Sequence, residues 1–130
     1  MTAEVIALIE GSQYVATSIV ARVEATAAFA KGLRMGWIDE PTARAALAAL
    51  DTDWTSLIRI SLSEAMLGAA ANLAWDHGLR GYDAVHLAAA LSLKERLEED
   101  VLFASFDRQL NSVANRVKMQ TWPALSDMEA

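Results

Sequence analysis

At 130 residues, with 54% hydrophobic and 22% charged residues, the chain has the length and composition of one globular domain. It contains no cysteine, which excludes disulfides and thiolate metal sites. The net charge of −6 argues against a broad basic surface that grips nucleic acid, but it is compatible with cation-carrying carboxylates or a basic protein partner. No apolar run approaches the roughly 20 residues that cross a bilayer, and the first residues lack the basic region of a secretory signal. A cytoplasmic protein without a membrane segment is therefore expected.

Helix-like and strand-like segments alternate along the chain. Apolar residues at helical spacing indicate the helices, and short apolar or β-branched runs indicate the strands. The predicted helices span residues 2–10, 18–36, 39–54, 63–77 and 82–97, with a short one from 107, and the predicted strands span residues 13–17, 57–60, 101–105 and 117–122. This alternation predicts one α/β domain with a mainly parallel sheet over residues 1–123, followed by a tail, residues 124–130.

Capping residues mark several of the predicted helix ends. Ser18, Asp39 and either Ser61 or Ser63 stand before apolar-periodic segments, where their side chains can accept the first amide hydrogens. Gly78 stands directly after such a segment, at the position where a left-handed residue ends a helix.

The segment from Gly81 to Leu91, GYDAVHLAAAL, is apolar on nearly every side, which predicts a helix buried among other elements. Asp83 stands at its start, where an ionised carboxylate is costly unless something compensates it. Two interpretations stay open: an N-cap that suits the helix dipole, or a metal ligand or catalytic acid. His86 is expected to be a packed, hydrogen-bonded residue, because no second histidine is placed to complete a zinc site.

Three acids, including Asp83, follow strands or lie near helix starts in apolar surroundings. Glu24 lies in the helix after the first predicted strand, and Asp107 follows the third. Each has a structural interpretation, Glu24 as an exposed residue paired with Arg22 or Lys31, and Asp107 as a cap. Functional sites of open α/β sheets lie beyond the carboxyl ends of the strands. The three acids can therefore converge at one sheet edge, where their repulsion would require a cation.

Carboxylates without a histidine or cysteine cluster suit hard ions such as Mg²⁺ or Mn²⁺. If the three acids converge, Glu24, Asp83 and Asp107 are therefore the candidate catalytic and metal-binding residues of a Mg²⁺ or Mn²⁺ site. Ser18 and Ser105 stand near predicted strand ends. They are supporting candidates that would orient a carboxylate or a water, or would simply cap the strand ends.

Three stretches form a larger pattern: ATSIVARVEATAAF from Ala16, GYDAVHLAAAL from Gly81 and VLFASFDRQL from Val101. In this order they resemble PIN domains, especially the VapC-type toxins of bacterial toxin–antitoxin pairs, and the resemblance covers residues 5–122. It implies a three-layer α/β/α fold and a metal-dependent endoribonuclease that cleaves RNA phosphodiesters. Its second, third and fourth acids match Glu24, Asp83 and Asp107, and Ser105 matches the hydroxyl residue before the fourth acid. It also implies a homodimer and a cognate antitoxin that blocks the site.

One part of the family pattern is not matched. PIN domains begin with an apolar strand that ends in an aspartate and lies at the centre of the sheet, whereas Met1 stands at what would be the first helix. The expected fold is therefore a PIN-like sandwich lacking its usual first, central strand, with the first acid either upstream of Met1 or absent. A catalytically silent PIN-like module that binds an antitoxin or its own copy is the alternative function, and a purely structural α/β domain whose acids are all caps is a third.

Overall fold

The structure is a computed structural model that describes residues 2–128. Its helices are α1 (Thr2–Gly11), α2 (Ala21–Arg34), α3 (Glu40–Trp54), α4 (Glu64–His77), α5 (Gly81–Leu97) and α6 (Arg108–Arg116), with a 3₁₀ turn at Leu125–Asp127. Its strands are β1 (Ala16–Ser18), β2 (Ile58–Ile60), β3 (Leu102–Ala104) and β4 (Gln120–Trp122). The predicted α/β class is confirmed. Of the predicted tail, residues 129 and 130 lie outside the described residues.

The chain divides into two compact units, one up to Arg59 and one from Ile60 onward. The single domain expected over residues 1–123 stays a prediction. No helix within residues 2–128 is long and apolar enough to span a bilayer.

In the first unit, helices α2 and α3 pack against each other. Gly32 of α2 is buried, and a Cβ atom at this position would come within 3.3 Å of Ile38 Cγ1. Glycine therefore permits the close approach of the chain that leaves α2. An exposed ion pair of 2.9 Å between Arg22 Nη2 and Asp51 Oδ1 joins the two helices.

Three of the predicted helix ends are confirmed by their capping groups. The carboxylate of Asp39 accepts the Thr42 amide hydrogen at 2.9 Å, and the hydroxyl of Ser63 accepts that of Met66 at 3.1 Å. Gly78 follows α4 in the left-handed conformation, with φ of 68°, where a side chain would be strained. Short-range sequence signals therefore determine where α3 and α4 begin and where α4 ends.

The prediction that Ser18 caps the second helix is wrong. Helix α2 begins at Ala21, and its N-cap residue, Val20, has helical backbone angles and no side-chain cap. Ser18 is instead the last residue of β1, and it is 2% exposed. Its hydroxyl accepts the Val20 amide hydrogen at 3.4 Å, so the serine holds the turn that connects the strand to the helix.

The described strands form two two-stranded sheets, β1 with β2 and β3 with β4, where the sequence predicted one sheet. Strands β3 and β4 are parallel, with α6 as the connection between them, and Phe103 lies opposite Thr121. The apolar run at 101–105 predicted a strand buried on both faces. Within β3, however, only Phe103 is buried, and Leu102 is 41% exposed. The described part of the chain places only β4 beside this strand, so the expected burial is not reached.

Helices α4 and α5 pack against each other in the second unit. Small residues and one leucine dominate their buried positions, which are Met66, Ala70, Ala84, Leu87, Ala88 and Ala89. The prediction of a buried helix is confirmed for the first half of α5, where Leu87 is 0% exposed. From Glu95 onward the helix is exposed, and Asp83 lies in its first turn at the other end.

Candidate active site

Asp83 is not the N-cap of α5. The N-cap is Arg80, whose extended backbone (φ −64°, ψ 153°) precedes the helix and whose side chain makes no capping hydrogen bond. Because Gly81 and Tyr82 already belong to the helix, Asp83 lies within its first turn. There the carboxylate benefits from the positive end of the helix dipole, and its Oδ2 accepts a hydrogen bond from Arg80 Nε at 3.1 Å. The side chain of Asp83 is 21% exposed.

Asp107 is the N-cap of α6, as the sequence predicted. Its Oδ1 accepts the Leu110 amide hydrogen at 2.9 Å, which satisfies one of the free donors of the first helical turn. The other oxygen, Oδ2, lies 3.5 Å from Nη2 of Arg80. Asp107 therefore uses one oxygen to start a helix and presents the other to a cation.

Arg80 joins the two predicted acids. Its Nε contacts Asp83 and its Nη2 contacts Asp107, so one guanidinium lies against carboxylates from the first turn of α5 and the start of α6. Arg80 was not among the site residues predicted from the sequence. Its spacing of three residues from Asp83 is a visible signal, since residues three apart can pair near a helix start. The contact with Asp107 is tertiary and leaves no such signal.

Ser105 and Asn111 hold the segment that carries Asp107. The hydroxyl of Ser105 accepts the Asp107 amide hydrogen at 3.0 Å. The backbone carbonyl of Ser105 accepts a hydrogen bond from Asn111 Nδ2 at 2.8 Å. Asn111 is 0% exposed, and its Oδ1 has no hydrogen-bond partner among residues 2–128. Asn111 was not among the site residues predicted from the sequence, although a polar residue next to Leu110 in a short helix is a signal that could have identified it.

Glu24 and Ser18 belong to the first unit. Glu24 lies half-buried in the first turn of α2. Arg22 forms an ion pair with Asp51, and Lys31 lies over the Trp37 ring at 5.9 Å from the centroid; the pairing of Glu24 with either residue stays a prediction. The role of Glu24 as a metal ligand stays a prediction.

The chemistry of Asp83 and Asp107 fits a hard cation. Carboxylate oxygens are the donors that Mg²⁺ and Mn²⁺ prefer, and Mg²⁺ is commonly held by one or two carboxylates together with waters and substrate phosphates. Both acids already share one positive group, the guanidinium of Arg80. Within residues 2–128, no group of three or more His, Cys, Asp or Glu side chains is arranged to hold a metal ion. Asp83 and Asp107 thus offer a donor set of two carboxylates.

A surface depression of about 640 Å³ lies at the other end of α5 and involves neither acid. Its lining residues are Leu91, Lys94, Glu95, Glu98, Glu99 and Asp100.

Neither the known protein-family models nor the curated proteins contain a match to this chain.

Proposed function

We propose that the chain is a PIN-type, Mg²⁺- or Mn²⁺-dependent endoribonuclease and the toxin of a toxin–antitoxin pair. The observation that carries the proposal is the pairing of Asp83 and Asp107 around one cationic group. These are the third and fourth acids of the family pattern that the sequence resembles. The proposal includes the finer fold, a three-layer α/β/α arrangement without the usual central strand. The parallel β3–α6–β4 unit and the pairing of strands two by two support it.

In this proposal each residue of the pair has a defined task. A divalent ion bound there would stabilise charge on the phosphoryl group and lower the pKa of the attacking water. Asp83 and Asp107 would hold that ion with their Oδ2 atoms, while the cap bond to Leu110 fixes the direction of the Asp107 carboxylate. Ser105 would keep the Asp107 backbone in place. Glu24 is the third ligand that the resemblance implies, and the proposed partners are an RNA substrate, a cognate antitoxin and a second copy of the chain.

An RNA-cleavage assay tests the proposal. We expect weak, Mn²⁺-dependent cleavage of single-stranded RNA that falls at least about tenfold in Asp83→Asn, since loss of a metal-site group costs this much or more. The matched control is Asp76→Asn, which removes an exposed acid from α4 of the same unit and should leave cleavage unchanged. Glu24→Gln tests the third ligand, because it should weaken Mn²⁺ binding only if Glu24 contacts the ion. Cleavage that persists in Asp83→Asn would exclude the proposed site.

A second candidate function is a catalytically silent PIN-like module that only binds an antitoxin or its own copy. The observation that favours it is again Arg80, because the guanidinium already pairs with both acids and offsets one of their two negative charges without a metal ion. Calorimetric titration with Mn²⁺ separates the two functions. The enzyme should release or absorb heat at millimolar Mn²⁺ or below, whereas the silent module should show no binding.

A further inference from the structure

The contacts of Arg80 suggest how the affinity of the candidate site for metal is set. We propose that Arg80 is an internal counter-ion that competes with a divalent cation for Asp83 and Asp107 and thereby lowers the metal affinity of the site. This inference rests on the proposed function, because it concerns the same pair of acids. It assigns a role to a residue that neither the acid pattern nor the capping pattern of the sequence identified.

At Asp107, the guanidinium and a metal ion would use the same oxygen atom. Arg80 contacts Oδ2 of Asp83 at 3.1 Å and Oδ2 of Asp107 at 3.5 Å. The remaining oxygen of Asp107, Oδ1, is engaged by the Leu110 amide, so Oδ2 is the atom left for a cation. A bound Mg²⁺ lies about 2.0–2.1 Å from its ligand oxygens. An ion at that distance from Oδ2 of Asp107 would repel the guanidinium, so the two compete for this atom.

The backbone beneath Arg80 is held in place, whereas its side chain is free to move into solvent. Leu79 is 6% exposed, and Gly78 ends α4 in the left-handed conformation with its carbonyl accepting a hydrogen bond from Gln109 Nε2 at 3.4 Å. In contrast, the side chain of Arg80 is 80% exposed. The guanidinium can therefore leave the carboxylates by rotation of its side chain, with no rearrangement of α5.

The strength of this competition follows from the exposure of the pair. Exposed ion pairs change an equilibrium constant by only about 1.5- to 5-fold, and Arg80 forms two such contacts by single nitrogen atoms. A divalent ion carries twice the charge of a guanidinium and binds the oxygens directly. Arg80 therefore weakens metal binding by a few-fold and does not abolish it.

Calorimetric titration of the full chain with Mn²⁺ tests the proposal without reference to cleavage. We expect Arg80→Met to bind Mn²⁺ about 2- to 5-fold more tightly than the wild type. Arg80→Lys should lie between the two, because an ammonium keeps the charge but lacks the fork that reaches both acids. The control is Arg96→Met, which removes the same charge from an exposed position in the last turn of α5. It should change the affinity much less, since it lies about 24 Å along the helix from Arg80.

Each outcome has a distinct meaning. Equal or weaker Mn²⁺ binding by Arg80→Met, with the wild type binding, would overturn the competition and leave the metal site intact. If Arg80→Met only lowers the melting temperature, Arg80 is a structural connection between α5 and the start of α6, and the proposal is wrong. Absence of Mn²⁺ binding in the wild type and in folded Arg80→Met alike would overturn both this inference and the proposed function. Circular dichroism of each variant establishes that it is folded.

Discussion

Asp107 performs two tasks with two different oxygen atoms, and two substitutions can separate them. Oδ1 accepts the Leu110 amide hydrogen at 2.9 Å and so caps α6, while Oδ2 faces Arg80 at 3.5 Å. Asp107→Asn keeps an oxygen for the cap but removes the negative charge. Asp107→Ala removes both. We expect the first variant to lose metal binding with little loss of stability, and the second to lose both.

The size of each effect follows from the contacts. Asparagine caps a helix about as well as aspartate, whereas alanine costs roughly 1 kcal/mol, within a range of about 0.5–2 kcal/mol. Loss of the charge costs about 0.3–1 kcal/mol at the helix N-terminus and about 0.2–1 kcal/mol through an exposed ion pair. Since the side chain of Asp107 is 36% exposed, both charge effects are expected at the lower ends of these ranges. Asp107→Ala should therefore unfold with about 1 kcal/mol less stability than Asp107→Asn.

Urea denaturation followed by circular dichroism measures the stability difference, and Mn²⁺ calorimetry measures the metal site. The two variants should differ in the first experiment and agree in the second. If Asp107→Asn is as unstable as Asp107→Ala, the charge and not the capping oxygen stabilises the start of α6. If Asp107→Asn still binds Mn²⁺ with wild-type affinity, the Oδ2 atom is not a metal ligand.

Two further predictions concern the core and the pH dependence of stability. Leu87→Ala should cost about 2–5 kcal/mol of unfolding free energy because Leu87 is fully buried. The control is Leu97→Ala, the same change at a 45% exposed site of α5, which should cost less than about 1 kcal/mol. Similar losses in the two variants would contradict the packing of α5. Hydrogen bonds from the side chain and amide of Thr42 lower the pKa of Asp39 in the folded protein. The ionised carboxylate therefore stabilises the fold at pH values above its unfolded pKa. This contribution to stability disappears as the pH falls through the lower pKa of the folded protein. The stability difference between wild type and Asp39→Asn, measured by urea denaturation, should shrink below about pH 5; a difference that stays constant to pH 2 would refute this.

The helix ends could be predicted wherever the signal is local. Asp39, Ser63 and Asp107 each accept an amide hydrogen from the residue three positions later, and Gly78 adopts the left-handed conformation that glycine favours. Each of these interactions lies within one helical turn, so it can be read from neighbouring residues alone.

The prediction fails where a longer-range interaction decides the conformation. Asp83 was a plausible cap, but α5 begins two residues earlier and the carboxylate binds Arg80 instead. Ser18 was expected to cap α2, but the chain makes a turn after β1 and the serine is buried there. The apolar sequence around Phe103 predicted a fully covered strand. Strand pairing is not encoded locally, and this strand pairs only with β4 in the described structure.

For the candidate site, the sequence predicted the acids but not the cation that joins two of them. Asp83 and Asp107 were proposed from their positions relative to a strand and a helix start, and both contact Arg80 in the second unit. The contact between Arg80 and Asp107 depends on how α5 packs relative to the start of α6, which no local pattern specifies. The role of Glu24 as a metal ligand stays a prediction, which the Glu24→Gln titration tests.

The two candidate functions differ in whether a divalent ion can replace the Arg80 guanidinium at the carboxylates of Asp83 and Asp107. Two carboxylates close enough to share a guanidinium repel each other once the guanidinium leaves, which favours its replacement by another cation. If the protein is the enzyme, a divalent ion replaces Arg80 at a millimolar or lower concentration of the ion. If it is the silent module, Arg80 remains the partner of both acids. Because the exposed contacts of Arg80 are individually weak, we expect a divalent ion with one further ligand, from RNA or water, to displace the guanidinium. Mn²⁺ affinity is therefore the measurement that distinguishes the nuclease, the function we propose, most directly from the silent module.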